Sequence, residues 1–479
     1  MPLLGKIVDI SELVDATVAG DSDQLITVAR ALLEQKGVPA SILIGRVGMI
    51  AAHGDKDGHA ILTLNAASTL AHWCNALPHA SDIEPQARTH EQELPFLVQV
   101  LVATAPEVRA GQAAKVTYPE PFFPSEYPEG KSRADMMHDA IYGNDATLIE
   151  RLLFGLYGSG ADYRTMQLAA YEGIATTFQN AGHPLIFAVR GTQLLDWVDW
   201  GDRVPTILHW LTPHLPLHIE EPEWIKTVRS FVADEAHSVV SLRTRLSAPK
   251  EENALPLRRL LVSDADTTQV CQAVYDGLMK GGASARGIGS VVALTAADIM
   301  QRVGDGDRDA FVRAAHGLLF AAAVRLAFRE IEDVALLPLL FTSAAFVNAL
   351  SKEVGQQTAP SQPATKPSTI PGGGLIATAL LEALSNQLGA QDFSGALSTT
   401  RRYLQLGNDP RALFAAIGLV AAQADAAADQ GHTLQIVQAA GEEFLAWPTG
   451  LAGTNIEGLV QVALRAAAFA RRNNLVSNL

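Results

Sequence analysis

Four histidines carry the strongest chemical signal in this chain. Gly58-His59 heads an apolar stretch that runs on to Leu70-Ala71-His72-Trp73. Gly182-His183-Pro184-Leu185-Ile186-Phe187 leads to Leu194-Leu195-Asp196-Trp197, Ala315-His316 to Leu326-Ala327-Phe328, and Gly431-His432 to Phe444-Leu445-Ala446-Trp447. Each histidine reads as a helix start, and the four recur 116 to 133 residues apart. Neutral imidazole is a good ligand for iron, zinc or copper. At a helix N-terminus the backbone dipole disfavours the protonated ring, which leaves a nitrogen free for a metal. Gly58, Gly182 and Gly431 let the chain turn tightly into the helix. If the helices close around one axis, His59, His183, His316 and His432 can meet on a single ion. In an open solenoid, with neighbouring helices about 8–10 Å apart, they cannot. The competing reading is that four equivalent positions, inherited from an ancestral repeat, serve packing alone.

The elements that would position these residues are helical. Alanine and leucine dominate, alternation of period two is rare, and i, i+3, i+4, i+7 spacing recurs, as in Leu25, Val28, Leu32 and Leu33. The expected fold class is all-α. Four divergent units of about 120 residues are expected, at 1–117, 134–246, 257–355 and 375–479, in a closed or compact array whose halves are related by a pseudo-two-fold. Each opens with an acid inside an apolar turn (Asp15, Asp139, Asp276, Glu382), read as a first-turn partner of the helix dipole. A small-residue helix, as at 42–52, 167–177 and 412–422, precedes the histidine helix. Another apolar segment follows it, near Leu94, Val204, Leu337 and Gly458. The Pro- and aromatic-rich stretch 118–133 reads as a stiff connection, 247–256 as a polar divide, and 356–374 as a mobile loop or linker.

Composition narrows the functions. A formal charge of −15 argues against a general nucleic-acid binder. Two cysteines, Cys74 and Cys271, provide neither a disulfide framework nor a thiolate cluster, which suits a reducing cytoplasm. No signal peptide or membrane span is expected, and 334–350 reads as a buried helix. No P-loop, dinucleotide fingerprint, nucleophile elbow or His-Glu-x-x-His is present. Asp305-Gly306-Asp307-Arg308-Asp309 starts like a calcium loop but has Ala310 in place of the turn glycine, so it reads as a loop and helix cap. His53, His72, His79, His138 and His209 read as outer or surface residues, and His214 and His218 as exposed. Asp196 and Asp199 are candidates to orient an imidazole. Arg190 and Arg325 read either as partners of an anionic substrate or as snorkelling side chains.

The stretch Gly182-His183-Pro184-Leu185-Ile186-Phe187 resembles the His-Pro-Leu-Ile-His motif of questin oxidase-like proteins. These are all-helical proteins of similar size, and some are non-haem iron oxygenases that open aromatic polyketide rings, with iron held by several histidines and a carboxylated lysine. The resemblance implies His183 as a ligand directly and His59, His316 and His432 through the internal recurrence. The second histidine of the motif is Phe187 here, and Lys280, in a glycine-rich corner, is the most suggestive lysine. The expectation is a metal-dependent oxidoreductase, with non-haem iron or another transition metal and an apolar small-molecule substrate lined by Phe187, Trp197, Phe122 and Phe123. A cytoplasmic location and a possible protein partner complete this reading, and the sequence names no catalytic residue. The alternative is a non-catalytic helical scaffold, an open superhelix with its histidines far apart.

Overall fold

The alanine- and leucine-rich segments fold as helices throughout, and no strand occurs among the described residues (8–78, 85–234, 237, 251–304, 306–355 and 375–471 of the computed structural model). Twelve helices frame the histidines, and they come in threes. They are α1 Ala40–Ala51, α2 His59–Trp73 and α3 Pro85–Ala103; α4 Tyr163–Ile174, α5 His183–Leu195 and α6 Val204–Leu211; α7 Ala285–Met300, α8 Arg308–Glu330 and α9 Leu337–Val354; α10 Pro410–Ala421, α11 His432–Leu445 and α12 Glu457–Ala468. The middle helix of each set packs against its predecessor and its successor in the chain. The four middle helices also pack on one another in a ring, α2 on α5, α5 on α8, α8 on α11 and α11 back on α2. One continuous apolar core runs from Leu13 to Ala468. The open superhelix is therefore not the arrangement adopted.

The ring helices are parallel. Their histidines meet at one end, while side chains six to eleven positions further on pair at another level, two to three turns away. The flanking helices run the opposite way: the Ser68 hydroxyl at the far end of α2 donates to the Ser41 carbonyl at the start of α1, 3.3 Å away. Gly58, Gly182 and Gly431 cap α2, α5 and α11 with φ of 84°, 86° and 69°, a left-handed conformation that favours glycine. The fourth ring helix differs. His316 is the ninth residue of α8, not its first, because α8 starts two turns earlier at Arg308, where Asp307 accepts from the Ala310 amide at 2.9 Å.

Several expectations need correction. Asp15, Asp139, Asp276 and Glu382 do not lie in first turns but in the middle or last part of their helices, Ser11–Ala19, Arg133–Tyr142, Thr267–Asp276 and Leu375–Gly389. Asp139 pairs instead with Lys131 at 2.8 Å and Asp276 with Lys280 at 2.8 Å. The linker 356–374 and His79 lie outside the described residues. Helix α8 and the segment Val334–Val354 are long and apolar enough to cross a membrane, but 89% and 83% of their apolar windows are already covered by other helices.

Below the histidines the ring is charged. Arg190 pairs across the axis with Glu442 at 2.7 Å, and Arg325 pairs with Glu443. Gln193 accepts from Arg190 at 2.7 Å and from Asn65 at 2.9 Å, and donates to Glu442 at 2.9 Å. Gln438 donates to Thr69 at 3.0 Å. Arg190 and Arg325 are therefore neither snorkelling nor free for an anionic substrate. They are 4% and 3% exposed, and each is matched to a glutamate. A buried charge left without its partner costs about 3–5 kcal/mol, whereas an apolar pair of similar volume is often neutral. Urea denaturation of Glu443→Ala is expected to show a loss of about 3–5 kcal/mol, most of it recovered in Arg325→Met/Glu443→Leu. A single variant as stable as the parent would show that the pair is not buried in solution.

Candidate metal centre

Ring closure brings the four histidines into a puckered square. Adjacent ring centroids lie 5.0 Å apart for His59 and His183, 4.9 Å for His183 and His316, 5.0 Å for His316 and His432, and 5.4 Å for His432 and His59. His183 and His432 face each other across it at 6.4 Å. One nitrogen from each of His59, His183 and His432 lies within 4.8 Å of the others. The Nε2 atoms of His316 and His432 are 3.3 Å apart. His316 and His432 are 8% and 3% exposed, and His59 and His183 close the more open side.

The backbone fixes how three of the rings carry their protons. Nδ1 of His183 meets the Asn180 carbonyl, that of His316 the Val312 carbonyl at 2.9 Å, and that of His432 the Asp429 carbonyl at 2.6 Å. A carbonyl only accepts, so Nδ1 holds the hydrogen in each case and Nε2 presents a lone pair. Two lone pairs 3.3 Å apart repel unless something positive lies between them. A shared proton would require an imidazolium, yet burial, with His316 close by, pushes His432 down to about 3. Burial and His316 likewise bring His183 to about 3, and burial lowers His59 and His316. A metal ion fits the gap: tetrahedral bonds of about 2.0–2.1 Å set two nitrogens about 3.3–3.4 Å apart. The donor set is imidazole throughout, which suits zinc, copper, iron or nickel.

Local packing holds the rings in place. A β-carbon on Gly58 would strike Phe187, one on Gly182 would strike Phe320, and one on Gly431 would strike Thr63. In each case the obstructing residue stands four positions after the histidine of the next ring helix, so the glycines allow the close approach that ring closure needs. Phe187, at the position of the absent second motif histidine, packs against His59 at 6.0 Å and His183 at 5.2 Å between ring centroids.

Two carboxylates that the sequence reading missed support the histidine turns. Asp55 is 5% exposed and accepts from the Gly58 amide at 3.1 Å, the Ile61 amide at 3.0 Å and Trp210 Nε1 at 3.1 Å. Burial pushes it up to about 7 against these donors. Asp429 accepts from the Thr433 amide at 3.1 Å and from Arg308 at 3.1 Å, which ties the start of α11 to the start of α8. An acid three or four residues before a helix-start histidine was the available signal.

Other candidates lie elsewhere. Asp196 accepts from Trp200 at 2.9 Å at the far end of α5 and orients no imidazole of the ring. Asp199 sits in a left-handed turn in that same region. Trp197 packs at a tilt against His72, with ring centroids 5.2 Å apart. Phe122 packs on Tyr127 at 5.5 Å, and Phe123 is 37% exposed. None of these aromatics lines the histidine square, so Phe187 alone of the expected group is there. The Lys280 side chain is 74% exposed and paired with Asp276, so it is no ligand. His209 pairs with Glu150 at 2.5 Å and stands 6.4 Å from His53; His138 packs on Tyr142 with ring centroids 4.2 Å apart; His218 is exposed as expected. His214 departs from expectation. It is half-buried, 4.6 Å from Phe187, and burial lowers it to about 4.

A pH dependence follows for the metal-free protein. Above about 6.5, His183 and His432 are neutral whether folded or not. Between 6.5 and about 3 the unfolded chain takes up protons that the folded rings refuse, so stability falls with pH by up to about 1.4 kcal/mol per unit for each ring. Asp55 and Glu93, both raised to about 7, act in the opposite sense. The comparison that isolates the histidines is therefore with His183→Gln/His432→Gln, whose stability should fall less steeply between pH 6.5 and 4.5. Equal slopes in urea titrations would show that the rings protonate freely.

Comparison with protein-family models, with curated proteins and with solved structures returns no match to this chain.

Proposed function

We propose that the chain is a metal-dependent oxidoreductase whose histidine square holds one transition-metal ion, iron in an oxygenase acting on an apolar aromatic molecule being the preferred reading. One observation carries the metal: two lone-pair nitrogens, His316 Nε2 and His432 Nε2, face each other at 3.3 Å in a setting that resists protonation. Zinc would satisfy the same geometry. Redox chemistry is supported by the donor set, because a site built only from neutral imidazoles accommodates iron or copper without neutralising the ion. Bound there, the ion would supply Lewis-acid or electron-transfer chemistry to a small molecule.

This chain's own part would be to hold and shield the ion. The carbonyls of Asn180, Val312 and Asp429 aim the rings, Asp55 fixes the turn before His59, and Phe187 presents an apolar face beside His59 and His183. That face suits an aromatic ring better than a charged substrate.

Elemental analysis of freshly purified protein tests the reading. About one equivalent of a transition metal is expected, falling by about tenfold or more in His183→Ala/His432→Ala, since ligand loss costs at least what outer partners do. An iron content that supports oxygen uptake with hydroxylated aromatic probes would favour the oxygenase. Zinc alone would overturn it while keeping the site. Absence of any transition metal, unchanged by the substitutions, would leave packing as the role of the histidines.

A further inference from the structure

We propose that His59 is the exchangeable member of the histidine square. Its imidazole would leave the ion and open a coordination position to a small donor ligand, while His183 and His432, which converge with it, and His316, 3.3 Å from His432, keep hold. The inference rests on the metal reading above. What sets His59 apart is independent of the metal. His183, His316 and His432 each have Nδ1 tied to a carbonyl three or four residues earlier in their own chain segment. His59 has no such tie: both its ring nitrogens are buried and neither meets a backbone carbonyl within hydrogen-bond distance.

The reason lies in the preceding turn. Asp55, four residues back, takes the Gly58 and Ile61 amides, so the backbone around His59 is as firmly held as in the other helices. The ring itself lacks a carbonyl anchor. The nearest acceptor to Nδ1 is Asp57 Oδ1, 3.5 Å away, on a side chain that is 69% exposed. A ring turning off the ion would move toward a carboxylate able to receive its N–H, on the side that faces solvent. His316 and His432, at 8% and 3% exposure, are more enclosed than His59, whose side chain is 15% exposed. The exchange is electron-balanced without an oxidant: the bond from a nitrogen lone pair of His59 to the ion breaks, and a bond from the incoming ligand's lone pair forms.

Cobalt(II) loaded into the full-length apo-protein tests this, because its visible bands report ligand number and azide serves as the incoming probe. His59→Ala is expected to bind cobalt within about tenfold of the parent, whereas His432→Ala, which loses an anchored ligand, drops by about a hundredfold. Azide should bind His59→Ala about tenfold or more tighter, since the fraction of protein with an open position no longer limits it. Added imidazole should restore the parent spectrum and compete with azide. His59→Gln provides a second variant, and urea midpoints of the apo-proteins show whether each folds. Cobalt lost as steeply from folded His59→Ala and His59→Gln as from His432→Ala, or azide affinity unchanged in both, overturns the inference. A parent protein that takes up no cobalt overturns the metal reading itself, a result distinct from either.

Discussion

Closure of four parallel helices is the constraint on which the rest depends. Parallel neighbours set like dipole ends side by side, an unfavourable arrangement unless other helices run back between them. The flanking helices do this: Ser41 at the start of α1 meets Ser68 near the end of α2, and Gly289 in α7 lies beside Arg325 in α8 while Gly317 lies beside Ala296. The reward is a place where three helix N-termini and a turn of α8 converge. N–H groups concentrated there repel a positive charge while burial deprives it of solvation, and both keep imidazole neutral. The four histidines are thus held in the form that binds a metal by the architecture that brings them together.

The left-handed glycines are the joints of that closure. At Gly182 a side chain would collide with Phe320, and at Gly431 with Thr63, so the starts of three ring helices are pressed against the next one. The same rule explains why α8 can dispense with a glycine. It does not start at its histidine, and Ala315 precedes His316 inside a continuous helix. Arg308, at the head of α8, instead donates to both Asp429 and the Thr433 hydroxyl, joining the two helices by charge where the others are joined by contact.

The helical class and the histidine register were legible because both are periodic properties of a one-dimensional string. A histidine after a glycine, followed by apolar residues at helical spacing, signals a helix start, and His59, His183 and His432 obey it. His316 was found by recurrence but misplaced, since nothing local marks that α8 begins two turns earlier. The charged layer was not legible: Arg190 meets Glu442 across 252 positions, and their match exists only once the ring has closed. Trp197 failed for a geometric reason. It lies 14 residues after His183, about 21 Å along a helix, so proximity in sequence became distance along an axis. His214 failed in the opposite way. Its proline-containing segment folds back onto Phe187 instead of standing free.

The two polar layers of the ring differ in how they treat charge. The lower one is balanced within itself, two arginines against two glutamates, and needs nothing from outside. The histidine layer is neutral as it stands and would carry the full charge of any ion it held. Its nearby carboxylates, Asp55, Asp57 and Asp429, are engaged behind the rings or exposed, and none is among the converging ligand atoms. An ion there, facing helix N-termini and ringed by neutral donors, would remain strongly electropositive. Such a centre favours an anionic or electron-rich donor at whichever position opens. Of the four rings, the one without a carbonyl tie is also the one beside an exposed carboxylate, so a position opening there would have that charge on its own side of the square.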